Sequence, residues 1–430
     1  MNTTIIDVRG RAVWDSRGRP TVEAEVHLAD GTIGRAIAPA GASVGTGEAI
    51  DLRDGGTRLG GYGVERAVGA VRGEIAALLE GRDSTDQSGI DRDLCALDGT
   101  AQKSRLGGNA IVAVSMAVLQ ASAAAARLPL HAWLSAQGTT PASLPLPQIQ
   151  IFGGGAHAGR RVDIQDFLIM CPSAGSLAEA FERTAEVYIA AGRQLAARGA
   201  LQGVADEGGF WPAFASNEEV LEALVRAIEA AGLTPGDDVF IALDVAASEF
   251  GRDGRYRLGL EQLELDSDGL GEVLLRWIER YPILSVEDPF AEDDKGGFAR
   301  FTAAVGNRVQ VVGDDLLVTN AARVAEAATQ GQANCVLIKP NQAGTVTESL
   351  AAIAAARAGG MATIVSARSG ESEDTTIAHL ATGWGAGQIK VGSITRSERT
   401  AKWNELLRIE EALAGRAPFA GWQALPVGRR

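Results

Sequence analysis

Six short apolar runs in the second half of the chain each end in charged residues. They read VFIALD at 239–244, ILSVED at 283–288, VQVVGDD at 309–315, CVLIK at 335–339, ATIVSAR at 362–368 and GQIK at 387–390. Alanine-rich stretches lie between several of the runs, for example at 321–329 and 348–358. A short apolar run followed by such a stretch is typical of a buried strand followed by a helix. The sequence therefore predicts a series of strand-then-helix units.

Serial units of this kind predict a closed α/β barrel. The charged ends follow one another at steps of 43, 27, 25, 29 and 22 residues, at Asp244, Glu287, Asp314, Lys339, Arg368 and Lys390. In a (β/α)8 TIM barrel the carboxyl ends of the strands meet on one face, and that face carries the active groups. A doubly wound open sheet is the alternative fold. No GxGxxG motif follows an early strand, which argues against its dinucleotide-binding form.

The N-terminal part has a different pattern, which predicts an α+β domain. Apolar and polar residues alternate at 21–28, as in a half-buried strand, and Asp30-Gly31 follows as a hairpin turn. Apolar residues at three- and four-residue steps over 64–78 predict an amphipathic helix. The most apolar stretch, 111–126, includes serine and glutamine and predicts a buried core helix. Strands followed by helices indicate an α+β arrangement.

Length and composition agree with two domains. The chain has 430 residues, of which 46% are hydrophobic and 22% charged, so it can bury a sizeable core. The proline-bearing stretch 139–148 is the boundary that we expect. This divides the chain into an N-terminal capping domain at 1–138 and a barrel domain at 139–430.

Charge and cysteine content exclude several classes of partner. With 40 basic and 54 acidic residues the net charge is −14, which disfavours general binding to nucleic acid or to an anionic membrane. The three cysteines have no metal-binding spacing and form no dense disulfide framework, so a reducing compartment is the simpler interpretation. No basic region followed by an apolar stretch opens the chain, and no long apolar run follows. We expect a cytoplasmic protein.

Three acidic residues at successive strand ends predict a metal site. Asp244, Glu287 and Asp314 would converge on one rim of the barrel, and a ligand set made only of oxygen suits a hard cation such as Mg²⁺. For each acid alone, capping of the following helix is an equally good explanation. That alternative explains the three together less well.

Two of the chain's five lysines, Lys339 and Lys390, also end predicted strands. A lysine among apolar residues and beside a metal can have its pKa lowered enough to act as a base, whereas an arginine cannot. With Arg368, the two lysines would place positive charge opposite the acids, which suits a substrate that carries phosphate and carboxylate groups. The alternative is that they are counter-ions for the acidic rim.

Three further loops carry candidate residues. Glu207 in DEGGF, at 206–210, is a candidate general acid with Asp166 as a neighbouring acid. His157 in the glycine-rich loop 153–159 is a candidate substrate contact on a mobile loop. Ser43 in AGASVG would reach a metal from a hinged lid. As bare patterns, a plain turn or an ordinary surface loop explains each of them as well.

The sequence resembles enolase over essentially its whole length. The shared motifs are DSRGRPTVE at 15–23, GAS at 41–43, GGAHAG at 154–159, DEGGF at 206–210, SVEDPFAEDD at 285–294, GDDLLVTN at 313–320, IKPNQAGT at 338–345, RSGESEDT at 368–375 and RSERTAKWNELLRIEE at 396–411, together with Glu48, Ala49 and LRD at 52–54. Several long motifs in the same order make the resemblance specific. It implies an N-terminal α+β domain, a C-terminal barrel and a homodimer.

The resemblance also implies roles for individual residues. Asp244, Glu287 and Asp314 would hold the tighter of two Mg²⁺ ions, with Glu287 also near the substrate, and Ser43 would join the second ion. Lys339 would take the proton from C2 of 2-phosphoglycerate, and Glu207, with Asp166 beside it, would assist departure of the C3 hydroxyl. The substrate contacts implied are Arg368 and Ser369 to phosphate, Lys390 to the carboxylate side, and His157.

The chain departs from the enolase pattern on the leaving-group side. Ala367 stands where the family has the histidine of SHRSGE, and Asp166 stands where it has the glutamate of QEF. The lid serine and threonine are Ala40 and Val44, and the asparagine of NGG is Gly153. These changes keep a second hypothesis open, namely a diverged paralogue of phosphonate biosynthesis such as carboxyphosphonoenolpyruvate synthase, a transferase that uses a nucleotide-activated phosphonoformate. A third hypothesis is a binding protein without turnover.

Overall fold

A computed structural model describes residues 2–138 and 140–428. The N-terminal domain begins with an antiparallel sheet in the order β1-β2-β3, made of Ile5–Trp14, Pro20–Leu28 and Ile33–Ile37. Its helices are α1 Glu65–Ala70, α2 Ala76–Leu79, α3 Gln87–Asp98, α4 Gly108–Ala125 and α5 Leu130–Gln137. A π-helical turn, Val71–Ile75, joins α1 to α2. The predicted hairpin, amphipathic helix and core helix are all present.

Strand β2 is more buried than its alternating pattern predicts. Its apolar side packs on α4, but the polar side is also covered, because Glu23 and Glu25 are only 6% and 5% exposed. Arg11 and Arg35 from the neighbouring strands lie over these acids. The hydrogen bond from Arg11 is the main reason that the pKa of Glu25 falls to about 2, against the opposing effect of burial. Ion pairing thus buries the face that the pattern assigns to solvent.

Helix α4 is the core helix of this domain. It is the one helix in the described residues that is long and apolar enough to cross a membrane, and 89% of it is buried inside the protein. It packs on β2 and β3. Its apolar surface is therefore used for packing between the sheet and the other helices, as the sequence predicts.

The second part of the chain forms the predicted closed barrel of eight strands. The barrel strands are β4 Leu146–Gly153, β5 Asp166–Met170, β6 Phe240–Asp244, β10 Ile283–Glu287, β11 Gln310–Gly313, β12 Cys335–Ile338, β13 Ala362–Ser366 and β14 Gly387–Gly392. Three short strands outside the barrel form a separate small sheet, β7 Gly251–Arg252, β8 Arg255–Leu258 and β9 Leu263–Asp266. The helices are α6 Leu177–Ala197, α7 Asn217–Ala230, α8 Ser267–Arg280, α9 Lys295–Val305, α10 Ala321–Gln330, α11 Pro340–Ala343, α12 Val346–Ala358, α13 Thr376–Gly383 and α14 Ser397–Leu413.

One barrel strand departs from the serial parallel pattern. Strand β5 pairs antiparallel with both β4 and β6, and two helices, α6 and α7, follow it before β6 begins. Every residue of β5 is buried, so its apolar pattern contains no information about direction. Because the strand is reversed, its first residue, Asp166, lies opposite Asp244, the last residue of β6.

A pair of stacked histidines joins the two parts of the molecule. His131 on α5 and His379 on α13 have ring centroids 5.6 Å apart and planes inclined by 9°. Burial lowers the pKa of His131. Burial also lowers the pKa of His379 to about 4, although the nearby Glu405 carboxylate opposes this shift. Both rings therefore favour the neutral form in the folded protein.

We expect the free energy of unfolding to decrease as the pH falls below about 6.5, because unfolded His379 takes up a proton at pH values where the folded protein excludes it. The contribution is fully present above the unfolded pKa and is lost as the pH falls toward about 4. Between pH about 7 and pH about 5 this histidine should account for a loss of ~2 kcal/mol. Denaturant unfolding at both pH values measures the loss. His379→Gln should reduce it, and an unchanged loss in that variant would refute the assignment.

Candidate active site

The three predicted metal-binding acids lie at one end of the barrel. Strands β6, β10 and β11 are parallel neighbours, and Glu287 is directly paired with Asp244 in the sheet. Asp314 follows the last residue of β11. Their exposed fractions are 3% for Asp244, 2% for Glu287 and 7% for Asp314. The strand ends thus bring these buried carboxylates together, as the sequence predicts.

Two lysines bind these carboxylates directly. Lys390 Nζ lies 2.7 Å from Asp244 Oδ2 and 2.8 Å from Glu287 Oε2. Lys339 Nζ donates a hydrogen bond to Asp314 Oδ2. The lysines are therefore counter-ions for the acidic rim, which is the alternative that the sequence left open.

The carboxylates beside the two lysines set the direction of the lysine pKa shifts. Burial alone lowers the pKa of Lys339, but the Asp314 carboxylate outweighs burial and the pKa is raised. The pKa of Lys390 is raised well above its usual value in the same way, by Asp244 and Glu287 against burial. The lowered pKa that the sequence predicts for a lysine base applies to a lysine beside a bound metal ion. The difference arises because each ammonium group lies within hydrogen-bond distance of a carboxylate rather than among apolar side chains alone.

The donor set at this rim fits a hard divalent cation. All the acids offer oxygen ligands, and burial together with the neighbouring Asp244 charge raises the pKa of Glu287 well above its usual range. Positive charge added at the rim would relieve this crowding of negative charge. Gln165 donates to Asp244 Oδ2 at 3.2 Å, while its own buried Oε1 has no hydrogen-bond partner in the described part of the chain.

Asp314 also belongs to a second acidic group. Carboxylate oxygens of Asp288, Asp314 and Asp315 all lie within 4.8 Å of one another. Asp288 differs from the other two because its oxygens accept hydrogen bonds from the backbone N–H groups of Asp314 and Asp315, at 2.9 and 2.8 Å. Asp288 therefore holds the loop after β11, and Asp314 is the member of this group that also belongs to the predicted metal-binding set.

The candidate acid residues form a compact group across the cleft. His157 Nδ1 lies 3.1 Å from Asp166 Oδ1, and His157 Nε2 lies 3.9 Å from Glu207 Oε1. Burial raises the pKa of Glu207, which suits a proton donor. Although burial opposes it, the two acids raise the pKa of His157 to about 9. His157 is thus a buried imidazolium, whereas the sequence left a surface loop histidine open.

Arg368 is held by an acid that the sequence analysis did not single out. The Arg368 guanidinium donates to both oxygens of Glu48, at 2.7 and 3.2 Å, and both side chains are 3% exposed. Arg368 Nη2 also donates to the carbonyl oxygen of Ser43, at 2.9 Å, so the lid is tied to the barrel by its backbone. Ser369 Oγ accepts from Arg17 Nη1 at 3.5 Å. The N-terminal domain therefore completes this side of the cleft.

A series of hydrogen bonds links the backbone of Lys339 to the carboxylates of Asp314 and Glu48. Lys339 N donates to Thr319 Oγ1 at 2.9 Å, and Thr319 Oγ1 donates to Gln342 Oε1 at 2.7 Å. Gln342 Nε2 in turn donates to Asp314 Oδ1 at 2.8 Å and to Glu48 Oε1 at 3.3 Å. Thr319 has a φ of 54° and follows Val318 at 42°, which is strained for β-branched residues. This strain is localised directly beside the candidate base.

The cleft contains nearly all the predicted residues. Its free volume is only about 20 Å³, and it is lined by Ala42, Ser43, His157, Gln165, Asp166, Glu207, Asp244, Lys339, Ser366, Ala367, Arg368, Ser369, Lys390 and Val391. Glu287 and Asp314 do not line it but contact the lysines that do. Gly153 leaves no room for the asparagine of the family pattern, because a Cβ there would lie 2.5 Å from that of Ala205.

Fold and site together define a class of protein. A small α+β domain caps the carboxyl end of a barrel whose buried acids and lysines suit metal-assisted abstraction of a proton beside a carboxylate. Residues 5–134 match the family described as enolase, N-terminal domain, and residues 141–426 match enolase, C-terminal TIM barrel domain. The chain therefore belongs to the enolase family, and its fold is the TIM barrel with an N-terminal domain that this family predicts. It is an enolase-superfamily enzyme of the Mg²⁺-dependent kind.

Proposed function

We propose that the protein is a lyase that removes the C2 proton of 2-phosphoglycerate and eliminates water to give phosphoenolpyruvate. The observation that carries the proposal is the placement of Lys339 and Glu207 in the walls of one small cleft, so that a base and an acid face the same ligand. Elimination of water needs a proton taken from one carbon and a proton given to the hydroxyl of the next. These two side chains supply that pair.

The other residues of the cleft would bind and orient the substrate. Arg368 and Ser369 would hold the phosphate, and Lys390 the carboxylate side. Asp244, Glu287 and Asp314 would hold one Mg²⁺, with Ser43 contributing to a second. When bound, Mg²⁺ supplies positive charge opposite the carboxylate, which becomes dianionic on loss of the C2 proton. His157 and Asp166 would keep Glu207 in place beside the leaving hydroxyl.

Turnover of 2-phosphoglycerate tests this proposal directly. Formation of the enol double bond of phosphoenolpyruvate is followed by ultraviolet absorbance, with Mg²⁺ present. Steady turnover supports the lyase. No turnover by folded, Mg²⁺-loaded protein would refute it and leave the transferase hypothesis as the better account.

The diverged transferase remains the second candidate because of Ala367. Its methyl group lines the cleft where the family has an imidazole, and alanine neither donates nor accepts a proton. Asp166 withdraws its carboxylate by one methylene, and misplacement of a group by about 1 Å can cost roughly 100-fold in rate. Both changes affect the leaving-group side and spare Lys339. A transfer reaction that uses the same base with a nucleotide-activated phosphonoformate would tolerate them.

We expect the double substitution Ala367→His with Asp166→Glu to increase the rate of dehydration by about tenfold or more, since it restores two groups that protonate or orient the leaving hydroxyl. The measurement is phosphoenolpyruvate formation under saturating substrate. Each single variant is the matched control, because the two side chains should act together. A double variant no faster than the parent would show that these two positions do not limit dehydration.

A binding protein without turnover is the less favoured third candidate. Two lysines and three carboxylates are buried at this rim, and removing such charges from water costs free energy that good ion pairs only roughly offset. A scaffold would gain more stability from apolar residues at these positions. The arrangement is better explained by chemistry that needs the charges.

We also propose that the enzyme acts in the cytoplasm as a homodimer. The three cysteines are free, which is in keeping with a reducing compartment. On the N-terminal domain, Trp14 is 60% exposed and Leu59 is 45% exposed, and both line one apolar depression. A second copy of the chain is the partner that we expect at this face. Sedimentation equilibrium should give twice the mass of the chain, and a monomer at micromolar concentration would contradict this.

A further inference from the structure

A cleft distant from the catalytic residues lies between the two domains. It encloses about 460 Å³, which is within the size range of small-molecule sites. Helices α4 and α5 contribute one wall, and α12 and α13 contribute the opposite wall. We call this the interdomain cleft. It shares no lining residue with the cleft that holds Lys339.

Apolar and aromatic side chains dominate the walls of the interdomain cleft. Trp133 and Leu119 line it from the N-terminal domain, and Trp384 and Leu350 line it from the barrel. Leu350 is 42% exposed, which is unusual for a leucine beside two tryptophans. These side chains would bury an apolar or aromatic body with a gain of roughly 25 cal/mol for each Å² removed from water.

Arg357 carries the only charge among the described residues that line the interdomain cleft. Its Nη2 donates to the carbonyl oxygens of Trp384 and Gly385, which end helix α13. Burial lowers the pKa of Arg357, and no carboxylate in the described ranges acts to raise it. Arg368, in contrast, has the carboxylate of Glu48 as its counter-ion. Arg357, which is exposed, is therefore held by two carbonyl oxygens and has no acidic partner among the described residues.

Near the start of α3, the wall of the interdomain cleft has two polar atoms without partners among the described residues. Ser84 Oγ and Gln87 Oε1 are buried and lack hydrogen-bond partners within the described part of the chain. Both residues line the interdomain cleft. Buried polar atoms are nearly always paired in folded proteins, so each of these atoms is expected to bind an ordered water molecule; because both are closed to solvent, they add no contact for a ligand in the cleft.

We propose that the interdomain cleft binds a small organic carboxylate with an aromatic or branched apolar body. The carboxylate pairs with Arg357, and the apolar part packs against Trp133 and Leu350. A phosphate monoester is a poorer match, because its second negative charge would find no cation among the lining residues. The site is independent of the proposed lyase activity. Since both domains form its walls, an occupant would also stabilise their contact.

Calorimetric titration of the full chain with 3-phenylpropionate tests the proposal. The control ligand is 3-phenylpropanamide, which has nearly the same size but no charge. We expect the acid to bind about tenfold more tightly than the amide, or better. Quenching of tryptophan fluorescence should accompany binding, because Trp133 and Trp384 line the cleft. Absence of binding by the acid, or equal affinity for acid and amide, would overturn the proposal.

Two pairs of variants locate the bound acid. Arg357→Gln should weaken binding about tenfold, whereas Arg226→Gln, on the exposed surface of α7, should leave it unchanged. Arg357→Gln also removes hydrogen bonds to the end of α13, so a second pair of variants at Leu350 leaves those bonds intact. Leu350→Glu places a negative charge in the cleft and should weaken binding about tenfold relative to Leu350→Gln, which has nearly the same size. Equal affinities within both pairs would place the ligand elsewhere and overturn the proposal.

Discussion

Replacing Lys339 by alanine is expected to lower the exchange of the C2 proton of 2-phosphoglycerate with solvent deuterium by at least about 100-fold and up to about 10⁴-fold. Lys339 is 8% exposed, follows the last residue of β12 and lines the catalytic cleft, and alanine at this position has no group that can accept a proton. Proton NMR of the substrate in deuterated buffer measures the exchange rate. Phosphoenolpyruvate formation should fall by the same factor.

Lys295→Ala is the matched control for this prediction. Lys295 begins α9 at the surface and pairs with Glu326 at 2.7 Å, away from the catalytic cleft. We expect it to exchange the C2 proton at the parent rate. If Lys339→Ala also exchanges at the parent rate while remaining folded and loaded with Mg²⁺, Lys339 is not the base.

Asp244→Asn is expected to weaken Mg²⁺ binding by about 100-fold or more, since it removes a charged ligand, and loss of residues that merely support a metal ligand already costs about 10- to 100-fold. Asp244 is one of three acids within 4 Å of Lys390 Nζ, so the variant also leaves that ammonium with less neutralising charge. Titration calorimetry with Mg²⁺ alone measures the affinity.

An exposed aspartate provides the control for the metal-binding prediction. Asp268, in the first turn of α8, pairs with Arg300 at the surface, and its side chain is 79% exposed. Asp268→Asn should leave Mg²⁺ affinity unchanged. Undiminished affinity in Asp244→Asn would remove this acid from the metal site and would favour the neighbouring group that Asp288, Asp314 and Asp315 form.

Six of the eight barrel strands could be predicted from the sequence because a charged residue ends each apolar run. The other two, β4 and β5, have no such mark. Strand β4 ends in glycine, and β5 is reversed, so its acid comes first rather than last. The apolar pattern of a fully buried strand is the same whether the strand runs parallel or antiparallel to its neighbours. The antiparallel course of β5 depends on its pairing with β4 and β6, which the sequence does not encode locally.

The residues that line the site could be named from motifs, but the residues that support them could not. Glu48 was within a recognised motif, yet its partner Arg368 is 320 positions away in the chain. Gln342 and Thr319 act through hydrogen bonds whose partners depend on the closed barrel and the docked N-terminal domain. The raised pKa of Lys339 likewise depends on how near Asp314 lies to its Nζ.

We propose that Lys339, with the residues that surround it, removes the C2 proton of 2-phosphoglycerate. The most direct test is deuterium exchange at C2 of 2-phosphoglycerate by the parent protein with Mg²⁺, with phosphoenolpyruvate formation followed on the same preparation. We expect exchange of the C2 proton that requires Mg²⁺ and that is at least as fast as dehydration. Folded, Mg²⁺-loaded protein that exchanges no faster than a protein-free sample would contradict it.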